Sequence, residues 1–467
     1  MTRLRNRPGP ASRSSHWLAE ALRTDPGRSP RLHGRRHADV CVVGGGYTGL
    51  WTAVELRQRH PGIRVTVLEA GLCGSGASGT NAGFLMNLWP KYPALAAHLG
   101  PSEAAWLAQA SADAVDEIVA FAEQHAIDAA IRRCGWLWTS TAPDQDGAWQ
   151  DTLDALSTVS GSPLRPVSPE RAVDLGGSPA RGGVFDPTAA TLQPARLARG
   201  LRQAAVDLGA DVFEQSPVRS VEDGAGPVRV RTGSGEVVAD RVVLAINAWA
   251  SVIPWVRRHL VLTASDNFVT EPLPEQVRGV AGAGVGTSDS RRLLDYWRTT
   301  ADGRLLFGKG GVGLGFRDRG ASSMFGPVPR PALLRREFAR TFPALASLAV
   351  TSWRAPVEYS LTSLPFFAAW PGRPRLFVGT GYSGDGVGPS RLGGRILASL
   401  ATGVRDEWSE CGLTRLPGRR LPGEPVRFLG GQLVRAALVR ADEVRGAGRR
   451  VDPVTGLLTR LDPTSWL

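Results

Sequence analysis

The sequence predicts an α/β fold in which a parallel sheet, wound with helices, joins a second α+β unit built on an antiparallel sheet. Three observations carry that expectation. Val40-Cys41-Val42-Val43 and Val242–Ile246 are short apolar runs of the kind buried on both faces of a parallel sheet. A helix pattern and a further strand follow the first run at the spacing of a crossover unit. Residues 255–350, in contrast, hold strand-like segments without regular crossover helices, which suits an antiparallel sheet.

In chain order, residues 1–37 are rich in Arg, Pro and Ser, carry one helix-like segment at Trp17–Leu22, and read as an N-terminal arm. The strand at Val40–Val43 runs into Gly44-Gly45-Gly46-Tyr47-Thr48-Gly49, which matches G-x-G-x-x-G at positions 44, 46 and 49. A helix pattern (Leu50, Ala53, Val54, Arg57) breaks at Pro61-Gly62, and a second strand, Ile63–Leu68, ends on Glu69. In this full context the motif marks a dinucleotide site. Gly44 permits the tight turn, Gly46 lets a pyrophosphate approach the backbone, and Gly49 lets the helix pack close to the strand. Free N–H groups at the helix N-terminus hold the phosphates. Glu69 accepts hydrogen bonds from a ribose with free hydroxyls and repels a 2′-phosphate, which favours FAD or NAD over NADP.

The glycine-rich stretch Ala70–Phe84 suggests backbone passing close to a ligand. A long helix is expected over 102–125 and a strand at Arg132–Thr139, with Trp136 and Trp138 on one face. Residues 140–180 break the βα alternation, which resumes with a helix from Pro194 to Gly209 and the strand Asp211–Phe213. A meander follows: Val228–Arg231, a Gly233-Ser234-Gly235 turn, Glu236–Val238, then Arg241–Ile246. Asp266–Thr270, Leu293–Arg298 and Arg304–Lys309 read as strands, and Pro331 opens a helix ending near Thr341. Finally, the strand Arg375–Val378 enters the loop Gly379–Gly388, followed by a helix from Pro389 to about Thr402. A helix N-terminus behind a glycine loop favours negative charge, so two such places suggest one long cofactor gripped at both ends.

Bulk properties narrow the partners. The net charge of +12 comes from 55 basic and 43 acidic residues, but only Lys91 and Lys309 are lysines and the arginines scatter. No basic tract argues for nucleic acid. The 4 cysteines (Cys41, Cys73, Cys134, Cys411) are widely spaced, which supports neither a metal site nor a disulfide framework. No apolar run is long enough to span a membrane and no secretory signal is visible, so a cytoplasmic protein is expected.

With these residues assembled, the chain resembles the FAD-dependent oxidoreductases of the D-amino acid oxidase superfamily, in particular γ-glutamylputrescine oxidase-like and glycine/sarcosine oxidase-like members. The resemblance rests on Val43–Leu50, Gly76–Gly83, Gly183–Pro187, Asn247-Ala248-Trp249, Gly303–Gly308 and Gly379–Ser390. It implies an FAD-binding Rossmann-like domain of the glutathione reductase type (38–95, 181–254 and 351–410). It also implies a substrate domain (96–180 and 255–350), flanked by the arm and a C-terminal extension (411–467). The implied FAD contacts are Gly44, Gly46, Tyr47, Thr48, Gly49, Glu69, Ala70, Gly76, Ala77, Ser78, Thr80, Asn81, Ala82, Gly83, Val218 and Asn247. On the flavin side they are Gly381, Tyr382, Gly384, Asp385, Gly386 and Val387. Three positions depart from the family: Thr80 stands where arginine is usual, Asp385 where histidine is usual, and Ser363 where aspartate is usual. Relatives that attach flavin covalently use a cysteine near Val357–Tyr359; none is there, so non-covalent FAD is expected.

The reaction implied is oxidation of an amine or amino-acid-like substrate: hydride passes from the carbon next to nitrogen to flavin N5, and water hydrolyses the imine. O2 is the expected acceptor, giving H2O2. Lys309 is the first candidate catalytic side chain, because a lysine kept in an arginine-rich chain can give up its proton. Tyr382 and Tyr359 follow, and Arg298 is a candidate clamp for a substrate carboxylate. Two alternatives stay open: a dehydrogenase passing electrons to a quinone or protein, and a flavin-binding partner protein with little turnover.

Overall fold

The computed structural model describes residues 2–3, 15–25, 27–177, 179–316, 320–446 and 448–462. Among them, two large sheets carry the fold. The first has nine strands and its centre is parallel: Gly34–Val43 lies between Val65–Leu68 and Gly235–Leu244, with Asp211–Phe213 beyond Val65–Leu68. Arg373–Thr380 joins Gly235–Leu244 in parallel, bringing its own glycine loop to the same sheet edge as the first. Val42, Val67, Val242 and Val243 are fully buried, as expected of strands covered on both faces. Antiparallel neighbours (Ser220–Glu222, Val228–Arg231) extend one side.

Helix Tyr47–Arg59 covers one face together with helix Pro389–Thr402. Their contact is close because Gly394 has no side chain: a Cβ there would stand 2.6 Å from Trp51 Cβ. Arg391 lies over the Trp51 ring at 4.7 Å and pairs with Glu55, so charge and stacking hold the two helices together.

The second sheet has eight strands, ordered Val350–Ser360, Leu260–Thr270, Leu305–Leu314, Asp295–Thr299, Gly286–Ser288, Trp136–Thr139, Gly183–Asp186, Arg165–Val167. All its pairs are antiparallel except Gly286–Ser288 with Trp136–Thr139. Phe268, Trp297, Phe307 and Phe338 form a separate core beneath it.

Sheet membership cuts across the expected boundaries. Val350–Ser360 and Gly183–Asp186, read with the nucleotide-binding unit, pair with Leu260–Thr270 and Trp136–Thr139 of the second sheet. The ladder with Leu260–Thr270 is continuous from Leu260↔Ser360 to Thr270↔Val350, and that pairing outweighs proximity in sequence. Glu236–Val238 and Arg241–Ile246, expected as two strands, form the single strand Gly235–Leu244. Ala239 pairs with Ala38 on one side and Val228 on the other, which carries the ladder through.

Part of the expected arm is packed. Helix His16–Thr24, capped by Ser15, buries Trp17, Leu18 and Ala21 against Val269, Leu306 and Trp353 of the second sheet; residues 4–14 lie outside the described residues. The C-terminal extension contains helices Val426–Gly446 and Pro453–Thr459. No helix among the described residues is long and apolar enough to cross a membrane.

Candidate active site

A cavity of about 360 Å³ runs between the two sheets. At one end it is lined by Gly44, Gly46, Tyr47 and Thr48, where the first strand turns into its helix. The turn is tight: Gly44 has φ +114° and a Cβ on it would meet the Ala245 carbonyl at 2.3 Å. Gly49 does not line the cavity; it packs helix on strand, since a Cβ there would fall 2.0 Å from the Gly44 carbonyl oxygen. The helix starts without a side-chain cap at Gly46, leaving first-turn N–H groups facing the cavity wall. Tyr47 N is the exception, donating to Ser78 Oγ at 2.9 Å.

Glu69 and Ala70 line the same end. The Glu69 carboxylate accepts from Gly45 N and Gly71 N, each at 2.7 Å. Burial pushes its pKa up, and those two backbone donors partly offset the rise. Val218 completes this end.

Gly76, Ala77, Ser78, Thr80, Asn81 and Ala82 form the long wall. Asn81 staples the loop, donating to Ala77 O and Ser78 O and accepting from Gly83 N. The Thr80 carbonyl accepts from Trp353 Nε1 at 2.8 Å, which fixes the loop to the second sheet. Gly83 stands behind the wall, at φ +75° and without room for a Cβ beside Leu192 O.

The far end is built by the second glycine loop and the second sheet. Tyr382, Gly384, Asp385, Gly386 and Val387 line it; Gly381 lies behind them. Helix Pro389–Thr402 begins here, also without a side-chain cap. The hydroxyls of Tyr382 and Thr48 share a hydrogen bond of 2.6 Å, so Tyr382 ties the two glycine loops together. Tyr382, expected as a candidate catalytic side chain, has its hydroxyl committed to Thr48, and its ring packs edge-on to Phe367.

Asp385 does not act as an isolated negative charge. Lys91 Nζ pairs with it at 2.8 Å and donates to the carbonyls of Ser363 (3.1 Å) and Tyr382 (3.3 Å). Lys91 thus carries positive charge to the second glycine loop and joins it to the segment holding Ser363. The sequence signal was present, since Lys91 is one of only two lysines, but nothing local links it to position 385.

Asn247, at φ +47°, lines the cavity and donates from Nδ2 to Glu358 Oε1 at 2.6 Å. Glu358 is 2% exposed, lines the cavity, and also accepts from Tyr382 N at 3.4 Å. Tyr359 lines the cavity beside it, its phenol pKa raised by burial and by the nearby Asp385 carboxylate. Thr263 Oγ1, on the adjacent strand, is buried without a hydrogen-bond partner and also belongs to the lining. That orphaned hydroxyl, two uncapped helix starts and a glycine-walled channel fit a long phosphate-bearing ligand.

Lys309 lies elsewhere, and its expected catalytic role is corrected. Gly310 and Gly311 line the cavity, whereas the Lys309 ammonium points to Asp295 at 2.9 Å and to the Leu293 carbonyl at 3.1 Å. Lys309 and Asp295 stand directly opposite on paired strands, and the two-residue alternation of a strand puts both side chains on one face. Arg291 and Arg340 also reach Asp295. We therefore expect Lys309→Met to cost about 2 kcal/mol of stability, read as a lowered Tm, while the anaerobic rate of flavin reduction stays within about threefold. A collapse of that rate at unchanged Tm would restore Lys309 to the chemistry. Arg298 is likewise no clamp: it donates to Ala82 O and Leu192 O, each at 2.6 Å, and burial lowers its pKa to about 10.

A protein-family model described as FAD dependent oxidoreductase matches residues 39–400. The chain belongs to this family. A probable oxidoreductase, OrdL, of Haemophilus influenzae is 31% identical over 388 residues, covering 80% of this chain and 85% of the relative. The gamma-glutamylputrescine oxidoreductase of Escherichia coli is 30% identical over 428 residues, covering 88% of this chain and 93% of the relative. In fold, the chain is similar to the crystal structure of glycine oxidase from Geobacillus kaustophilus, at a TM-score of 0.62 and 21% identity, covering 82% of this chain and all of that one. The protein is therefore an FAD-dependent oxidoreductase. FAD is its cofactor, and no cysteine is among the described residues lining the cavity.

Proposed function

We propose that this flavoenzyme oxidises a carbon–nitrogen bond by removing hydride from the carbon next to nitrogen, giving an imine that water hydrolyses, with O2 as the second substrate. The observation that carries this reading is the single cavity, which continues from the two glycine loops to the second sheet, where Thr263, Asn267, Tyr296 and Tyr359 form its lining. Such a cavity offers room for an organic substrate beside a long cofactor. Bound FAD would supply the electron-pair acceptor, and the chain's task is to bind, orient and exclude water. The unpaired Thr263 hydroxyl is a free donor or acceptor for substrate. Lys91 and the start of helix Pro389–Thr402 place positive potential at the second glycine loop, which favours negative charge developing there. Tyr359 is our candidate for a side chain facing the reacting end.

The names of the relatives, with both amine and amino-acid substrates among them, support the class. The test is an anaerobic panel of amines and amino acids with flavin absorbance as readout, followed by oxygen consumption against dye reduction. Bleaching by an amine with oxygen uptake is the expected result. Bleaching with dye reduction but no oxygen uptake would mark a dehydrogenase, and no bleaching by any member would end the reading.

A further inference from the structure

The charges of the cavity carry an inference about substrate class that rests on the proposed function. Among the described residues lining the cavity, none is Arg or Lys, and three are acidic: Glu69, Glu358 and Asp385. Two of the acids are already occupied. Glu69 sits at the first glycine loop between Gly45 N and Gly71 N, and Asp385 is paired with Lys91. Glu358, at the far end with Asp385, makes no ion pair among the described residues; its carboxylate accepts from Asn247 Nδ2 and Tyr382 N, both neutral donors. A buried carboxylate with neutral donors only either takes up a proton or waits for a cation.

Four described basic residues near the cavity are committed elsewhere. Arg298 is spent on backbone carbonyls, Arg354 holds Asp266 with contacts of 2.6 and 2.9 Å, and Lys309 holds Asp295. Arg435 of the C-terminal helix donates to Gly311 O at 2.7 Å. A substrate carboxylate entering here would lose its water, find no guanidinium among the described lining residues, and meet the field of Glu358. An ammonium group would find a carboxylate and the rings of Tyr296, Tyr359 and Trp249, surfaces that attract cations.

We infer that the substrate is a cationic amine bearing no carboxylate on the reacting carbon, and that Glu358 binds its ammonium group and takes one proton from it. The ammonium N–H bond breaks and a Glu358 O–H bond forms, leaving the neutral amine. The nitrogen lone pair then supports departure of hydride from the neighbouring carbon; the substrate is oxidised to an iminium and FAD, the family cofactor, is the oxidant. Burial raises the Glu358 pKa to about 7, with the backbone N–H groups of Glu358, Tyr382 and Gly381, and then Lys91, pulling the other way. Tyr382 from the second glycine loop and Tyr359 on its own strand also face it, and Asp385 lies beyond Tyr359. Because the raised pKa makes Glu358 neutral below about pH 7, ammonium binding weakens as pH falls through that value.

The test uses the FAD-loaded protein and matched pairs. tert-Butylamine and 2-aminoisobutyrate share a skeleton, differ by one carboxylate, and have no hydrogen on the carbon next to nitrogen, so calorimetry reads binding without turnover. tert-Butylamine is expected to bind at least tenfold more tightly, with affinity falling as pH drops below about 7, and Glu358→Gln is expected to abolish both the preference and the pH limb. Failure of tert-butylamine to bind, equal binding of the pair, or an unchanged limb in the folded, yellow E358Q protein would overturn the inference. In anaerobic flavin reduction, n-butylamine should exceed norvaline at least tenfold. If norvaline bleaches the flavin and n-butylamine does not, this inference fails while the proposed function stands. If neither these nor any other panel member bleaches it, the proposed function fails, and the calorimetric result still decides the role of Glu358.

Discussion

Lys91→Met is expected to slow anaerobic flavin reduction by tenfold to a hundredfold, roughly 1.4–2.7 kcal/mol of lost stabilisation. The substitution leaves Asp385 without its counter-ion at 2.8 Å and strips a donor from the carbonyls of Ser363, Tyr382 and Ser383. An unpaired carboxylate at the second glycine loop opposes the negative charge that the proposed reaction develops there. Asp385 is about a third exposed, so solvent absorbs part of the penalty, and the estimate stays below that for a fully buried pair. The decisive comparison is a double-mutant cycle. Asp385→Asn in the Lys91→Met background removes the offending charge and should recover at least tenfold of the rate. Stopped-flow reduction of both variants, with flavin content as a control, gives the answer. Additive effects would mean that Lys91 acts only by stapling the two loops.

Gly49→Ala is expected to yield protein that is largely colourless after gel filtration and less stable by about 3 kcal/mol. The added Cβ would stand 2.0 Å from the Gly44 carbonyl oxygen and 3.2 Å from Val42 Cγ1. A backbone carbonyl cannot swing aside as a side chain can, so the helix must lift off the strand. That lift carries the first-turn N–H groups away from the expected phosphate position, although Gly49 itself does not line the cavity. Gly62→Ala is the control, because no atom lies within 4 Å of a Cβ there. A yellow Gly49→Ala protein with wild-type Tm would show that the close helix–strand approach is dispensable.

The FAD-binding half was legible because its information is local. In G-x-G-x-x-G the turn, the pyrophosphate approach and the helix packing all fall within six residues, and Glu69 follows at a fixed crossover distance. Helix Pro389–Thr402 was readable for the same reason: proline opens it and Gly403, at φ +73°, closes it. Lysine scarcity was read for Lys309 alone, and nothing local raised Lys91 beside it. Lys309 faces away from the cavity because strand alternation sets it opposite Asp295, whereas Lys91 reaches Asp385 across 294 positions of chain. Glu358 stood in a segment already noticed, but an acid between Val357 and Tyr359 reads as a solvent-facing residue until the neighbouring loop covers it.

By itself, then, the sequence determined the cofactor grip, the parallel core and the family, since those depend on short stretches whose backbone geometry is dictated by glycine, proline and apolar period. The tertiary structure decided which charges meet. It paired Lys91 with Asp385, spent Arg298 and Lys309 on structure, tied Tyr382 to Thr48, and left Glu358 without an ion-pair partner among the described residues. Electrostatic partnership depends on through-space distance and on burial, and both are set only when strands far apart in sequence pack together.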